Sequence, residues 1–209
     1  MIDLAAALAH LPLVAILRGI RSDEIEAAAD VLIEAGFRLI EVPLNSPDPL
    51  TTIEKLARRV GEQAIVGAGT VLTVEQVTQV QDAGGAMIVS PNTDVAVIAE
   101  SAKRGLVSLP GYFTPSEAFA ALAAGASGLK LFPAEAATPA VVRAQRAVLP
   151  KNAPLLVVGG VAPDNMAPWR KAGADGFGLG SALYKVGATV EELAVNARAF
   201  VRGWASIGQ

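Results

Sequence analysis

Lys130 stands in the apolar run Gly128-Leu129-Lys130-Leu131-Phe132-Pro133, where little water is on hand to hold a positive charge. Burial disfavours the charged form of lysine, so such a group tends to shed its proton toward neutral pH and become an amine nucleophile. The other lysines sit differently. Lys103 and Lys171 precede Arg104-Gly105 and Ala172-Gly173, where helices end and a cation suits the dipole, and Lys55, Lys151 and Lys185 lie in polar or loop-like stretches. A second reading of Lys130 keeps it structural, with its stem along the core and its head reaching solvent at a strand end. Glu41, in Leu39-Ile40-Glu41-Val42-Pro43, is the carboxylate counterpart. A buried amine and a buried carboxylate in one cavity split two roles: the amine attacks a ketone to form a Schiff base, and the carboxylate moves protons. The competing reading is a structural ion pair, which is often no more stable than apolar packing of the same volume.

Three further groups accompany this pair. Arg18, in Ile16-Leu17-Arg18-Gly19, has the guanidinium geometry for bidentate carboxylate binding, or is an exposed loop arginine like Arg21. Thr70, after Gly67-Ala68-Gly69, either bonds a substrate or caps the helix that follows. Gly159-Gly160 and Gly180-Ser181 close two late apolar runs, and glycine there lets backbone N–H groups approach an anion, with a short helix N-terminus expected after each loop. Such pairs also occur as plain turn residues. His10, alone and outside every apolar run, reads as a surface residue.

The elements that must position these groups are legible as alternating short apolar runs and alanine-rich segments of helical period, the pattern of a parallel sheet. Strands are expected at Leu13–Leu17, Leu39–Pro43, Ile65–Gly69, Met87–Ser90, Leu106–Leu109, Gly128–Phe132, Leu155–Gly159 and Gly176–Gly180. Helix ends are marked by Gly36, Gly84, Gly105, Gly125 and Gly173, and helix starts by Ser22-Asp23-Glu24, Thr73-Val74-Glu75, Thr114-Pro115-Ser116-Glu117 and Ala162-Pro163-Asp164. About eight such units without a composition break fit a closed (β/α)8 TIM barrel better than an open sheet. The chain also lacks a Gly-x-Gly-x-x-Gly turn with an acid some 20 residues on, as a doubly wound dinucleotide fold would carry. Residues 1–209 are expected to form one barrel domain, with Ile2–His10 and Val190–Trp204 as flanking helices; Leu193, Ala197, Phe200 and Trp204 make a packing face on the latter. Active sites of such barrels lie at the C-terminal ends of the strands, and phosphate is usually held after strands seven and eight. Glu41 and Lys130, on strands two and six, are then able to face each other across one interior layer.

Composition narrows the chemistry. A chain of 209 residues, 52% hydrophobic and 18% charged, with net charge -3 and no basic cluster, carries no electrostatic footprint for nucleic acid or an anionic membrane. Zero cysteines exclude disulfides and thiolate catalysis, and one histidine excludes a multi-histidine zinc site, so neither metal nor cofactor is expected. The start Met1-Ile2-Asp3-Leu4-Ala5 has no cationic leader, and no run reaches the roughly 18 apolar residues of a membrane helix, which gives a cytoplasmic expectation.

The ordered set Ala15-Ile16-Leu17-Arg18, Glu41-Val42-Pro43-Leu44-Asn45-Ser46, Val66-Gly67-Ala68-Gly69-Thr70-Val71-Leu72, Val89-Ser90-Pro91-Asn92 and Lys130-Leu131-Phe132-Pro133-Ala134-Glu135 resembles the metal-independent aldolases that cleave 2-keto-3-deoxy-6-phosphosugar acids. The likeness runs from about Leu13 to Tyr184. It implies a barrel with Lys130 as the Schiff-base lysine, Glu41 as general acid/base, Arg18 and Thr70 on the pyruvyl half, and Gly160, Gly180 and Ser181 on the phosphate. It also implies a homotrimer, with pyruvate and glyceraldehyde 3-phosphate as products. The branch acting on the gluconate epimer usually carries arginine and threonine where this chain has Asn45 and Val158, so the resemblance points to the galactonate branch. Two other classes fit the residues alone: a phosphosugar isomerase or epimerase barrel without covalent chemistry, and a non-catalytic phosphometabolite-binding barrel.

Overall fold

The computed structural model describes residues 2–207. Its strands are β1 (Leu13–Ile16), β2 (Leu39–Pro43), β3 (Ile65–Gly69), β4 (Met87–Val89), β5 (Val107–Leu109), β6 (Gly111–Tyr112), β7 (Leu129–Leu131), β8 (Leu155–Val158) and β9 (Gly176–Leu179). All neighbouring strands are parallel, in the order β5-β4-β3-β2-β1-β9-β8-β7-β6. The two outer members of that order, β5 and β6, are consecutive in the chain and separated only by Pro110, which has no N–H to give to a ladder. They are two halves of one expected strand: β5 pairs β4, and β6 pairs β7. Backbone bonds from Gly111 N to Ser90 O and from Lys130 N to Pro110 O, 2.9 and 3.0 Å, stitch both sides of the break. The result is the expected eight-stranded barrel, with strand five kinked and reaching beyond Leu109.

Helices cover the outside: α1 (Leu4–His10), α2 (Ile25–Ala35), α3 (Pro49–Val60), α4 (Val74–Asp82), α5 (Val95–Lys103), α6 (Pro115–Ala123), α7 (Pro139–Arg146), α8 (Met166–Ala172) and α9 (Val190–Ile207). Gly36, Gly84, Gly105, Gly125 and Gly173, each read as a helix stop, all adopt the left-handed conformation that lets the chain turn back to the next strand. Thr73 caps α4 through Gln76 N, and Thr114 forms a capping box with Glu117 on α6. Two expected starts move. Glu24 makes no side-chain cap and α2 begins at Ile25, while α8 begins at Met166, beyond Ala162-Pro163-Asp164, because Asn165 takes the N-cap position.

Strand alternation sorts the core into two layers. Leu13, Ala15, Ile40, Val42, Val66, Leu129, Leu131, Leu155 and Val157 face the helices. Val14, Leu39, Ile65, Met87, Val89, Leu109 and Leu156 fill the barrel interior, and Leu4 and Leu8 of α1, with Ile2 just before it, pack against them across the N-terminal end. Phe200 and Ala197 of α9 are buried and Trp204 packs its ring edge against Phe177, as the spacing on that helix anticipates. His10 is exposed, as read.

Candidate active site

Lys130 is flanked by two residues committed to the helix-facing layer, so alternation turns its side chain into the barrel interior. Glu41 reaches the same interior from β2, held in register by Ile16 on one side and Gly67 on the other. The two line one narrow void with Val14, Ile16, Val89, Leu109, Leu156, Val158 and Gly178. Glu41 is 2% exposed and Lys130 7%. The expectation that they meet across one layer is met.

An apolar shell dictates their electrostatics. Desolvation pushes the Glu41 carboxyl above its ordinary value, an effect that Lys130 and Arg18 oppose by attraction. Desolvation pulls the Lys130 ammonium below its ordinary value; Glu41 opposes that and Arg18 adds to it. Both shifts favour the uncharged forms, an amine and a carboxylic acid, which are the nucleophile and proton donor that imine formation requires. The Lys130 Nζ also lies 4.9 Å from the centroid of the Phe132 ring, which borders the mouth above.

The mouth is a cleft of about 590 Å³. Arg18, Val158, Gly159, Gly160, Gly180 and Ser181 line it together, so the two glycine loops read from the sequence converge on one side of the opening. Ile16, Val158 and Gly178 border both the cleft and the void below, so the two spaces adjoin. The loop after β8 is fastened by Asn165, which accepts from Ala162 N at 2.9 Å and donates to Gly160 O at 2.8 Å. The expected short helix after each loop is absent. The segment after Gly180 is a turn closed by Leu183 N and Tyr184 N on Gly180 O, and α8 starts six residues beyond Gly160. Any anion bound here therefore meets loop amides rather than a helix end.

Arg18 is exposed, and its Nη1 donates to Asn45 Oδ1 at 2.7 Å. Gly19 N donates to Ser46 Oγ at 2.9 Å, so the segment after β2 holds the segment after β1. Asn45 thus touches the arginine that the family resemblance implies for the pyruvyl half. Thr70 does not cap α4, since Thr73 does. It adopts a positive φ of 57°, a conformation a β-branched residue takes only under constraint and one that recurs at functional sites. Val158 closes the boundary between void and cleft and packs against Gly178, where a β-carbon would come within 2.7 Å of Val158 Cγ2.

Sequence reasoning assigned no role to Glu135, Asn165 or Tyr184, all drawn to this mouth or its loops. Glu135 lay inside a motif already singled out, but its nearness to Gly159 is a tertiary fact. Among the described residues no group of three or more potential metal ligands is present, and no helix is long and apolar enough to cross a membrane.

A buried amine and carboxylate beneath a cleft with two glycine loops, at the C-terminal end of a (β/α)8 barrel, define a barrel enzyme equipped for carbonyl chemistry. The chain belongs to the KDPG and KHG aldolase family, whose model matches residues 4–195. A protein of Rhizobium meliloti (strain 1021) named probable 2-dehydro-3-deoxy-6-phosphogalactonate aldolase is 51% identical over 176 residues, covering 84% of this chain and 83% of that one. The 2-dehydro-3-deoxy-6-phosphogalactonate aldolase of Escherichia coli (strain K12) is 46% identical over 194 residues, 93% of this chain and 95% of that one. A solved structure described as native KDPGal superposes with a TM-score of 0.93 at 45% identity, covering 94% of this chain and 96% of that one.

Proposed function

We propose that this chain cleaves 2-dehydro-3-deoxy-6-phosphogalactonate to pyruvate and glyceraldehyde 3-phosphate through a Schiff base on Lys130. The observation that carries the reading is the shared burial of Lys130 and Glu41 at the floor of the cleft. The neutral amine attacks the C2 ketone, and loss of water from the carbinolamine, with Glu41 supplying and removing protons, leaves an iminium. Glu41 then takes the C4 hydroxyl proton. The C3–C4 bond breaks, its electron pair passes into the iminium to give an enamine, and glyceraldehyde 3-phosphate departs. Protonation at C3 and hydrolysis release pyruvate and restore the amine.

In this reading Arg18 pairs with the substrate carboxylate, Thr70 bonds the pyruvyl half, and Gly160, Gly180 and Ser181 receive the phosphate through backbone amides and a hydroxyl. Val158 offers no hydrogen bond to the C4 hydroxyl. That supports the galacto over the gluco epimer, together with the names of the relatives that match most of the chain. The active assembly is a homotrimer, which would cover part of the apolar surface that Leu72, Val95 and Phe119 expose. The enzyme works in the cytoplasm, where multiply charged phosphorylated acids are retained.

Treatment with pyruvate and borohydride followed by peptide mapping tests the proposal. A reduced adduct on Lys130, lost in Lys130→Ala together with turnover, is the expected result. Protein that binds pyruvate yet stays unmodified would instead support a non-covalent isomerase or a binding barrel.

A further inference from the structure

Glu135 is an acidic side chain of the cleft that no step above uses. It lies in the short turn Ala134–Ala136 that follows Phe132-Pro133 and lines the same mouth as Arg18, Gly160 and Ser181. Its side chain runs along the Gly159-Gly160 loop: a β-carbon on Gly159 would come within 2.0 Å of Glu135 Oε2, and one on Gly160 within 3.1 Å of Glu135 Cγ. Both glycines have positive φ, 119° and 63°, so the loop is shaped for close approach of a group that presses on its backbone. Among the described residues the Glu135 carboxylate has no hydrogen-bond or ion-pair partner. An unpaired negative charge therefore rests on one of the loops assigned to an anion.

We propose that Glu135 sets the affinity of the cleft for phosphate, its carboxylate repelling a phosphate group that arrives at the Gly159-Gly160 loop. The inference rests on the reading of that loop as the phosphate end. A free phosphate has the loop amides, the Ser181 hydroxyl and the Arg18 and Lys185 cations that line the same cleft to set against the repulsion, but no tether, and Glu135 weakens its binding. A phosphate tethered to a keto acid already held at Lys130 arrives at high effective concentration and binds in spite of it. Glu135 is thus a specificity-determining residue that screens out inorganic phosphate, an anion that would otherwise block the cleft, and weakens the hold on the departing triose phosphate. The carboxylate is exposed, so the effect is of the size of a partly screened Coulomb interaction, about three- to tenfold in affinity at low ionic strength.

The test is calorimetric titration of the folded protein with inorganic phosphate, comparing the natural chain with Glu135→Gln and Glu135→Ala, with the Gly159 and Gly160 amide NMR signals reporting where the anion binds. Glu135→Gln, which keeps the shape and removes the charge, should tighten phosphate binding about three- to tenfold and lose most of that gain at about 0.3 M salt. Unchanged or weaker binding in Glu135→Gln overturns the proposal. So does a gain confined to Glu135→Ala, which would trace the effect to volume, or binding that leaves the two glycine amides unmoved. The readout involves no turnover, so a failure of the aldolase reading would show separately, as absence of the pyruvate adduct on Lys130.

Discussion

Gly69 and Glu41 occupy each other's space: a β-carbon on Gly69 would stand 2.4 Å from Glu41 Oε1. Gly69, on β3 two residues beyond Glu41's register partner Gly67, must therefore be a glycine for the carboxyl to sit where it does. Gly69 has no positive φ, so alanine suits its backbone and the whole cost falls on the position of the Glu41 carboxyl. Gly69→Ala is expected to fold and to lower kcat by about 10- to 100-fold, since displacements near 1 Å at a reacting group cost that much. Circular dichroism with steady-state kinetics checks it, and a folded variant with full kcat would remove Glu41 from proton transfer.

Lys130 and Glu41 pull on each other's titration in known directions. Glu41 raises the Lys130 value against desolvation, so Glu41→Gln should move the Lys130 titration to lower pH; Arg18 lowers it, so Arg18→Leu should move it to higher pH. The ¹³Cε shift of Lys130, followed by NMR, reads both. Stability follows with opposite signs. Lys130 is lowered from 10.5, so the unfolded chain binds a proton the native one refuses, and its contribution grows as pH rises toward 10.5. Glu41 is raised from 4.5, so its contribution is present below 4.5 and is lost as pH rises through its higher native value. Glu41→Gln should erase that decline in Tm.

Asn45 acts on Arg18 by accepting its Nη1 hydrogen bond. Asn45→Leu should raise KM for the keto acid about three- to tenfold with a smaller change in kcat, the cost of losing one hydrogen bond that orients a binding group. Asn45→Asp, which keeps the acceptor, should restore most of the loss. Equal effects of both substitutions would mean that Arg18 needs no holding.

Val158→Thr places a hydroxyl at the boundary between void and cleft. Turnover of the galacto and gluco epimers in competition should shift toward gluco by about tenfold or less, the scale of one added polar contact in a pocket that tolerates both. An unchanged ratio would place epimer selection elsewhere.

The strands, the helix stops and the burial of Lys130 and Glu41 were legible because each is written in local period and in residue type. Apolar runs with one charged member at an inward position announce a buried charge wherever they occur. What escaped was set by contacts between segments far apart in sequence. The break at Pro110 follows from proline's missing N–H, yet the continuation through Gly111-Tyr112 depends on pairing with β7, which no window around residue 110 contains. Asn45 meets Arg18 across 27 residues, and Asn165 takes the α8 N-cap because it is engaged with Ala162 and Gly160. The helix ends expected beside the Gly159-Gly160 and Gly180-Ser181 loops failed because both loops continue into turns whose local bonds are invisible to periodicity.

The first helix packs its apolar residues across the N-terminal end of the barrel, against the inward-facing strand residues, while the cleft above Lys130 lies at the opposite end. On the proposed reading, a substrate bonded to Lys130 enters pyruvyl end first, with its phosphorylated end nearer the mouth. Product departure then has a fixed order: the triose phosphate, outermost and no longer bonded, leaves while the three-carbon remainder is still attached to the protein. Product-inhibition kinetics should accordingly be those of an ordered one-substrate, two-product enzyme, with pyruvate the last to leave and, in synthesis, the first to bind.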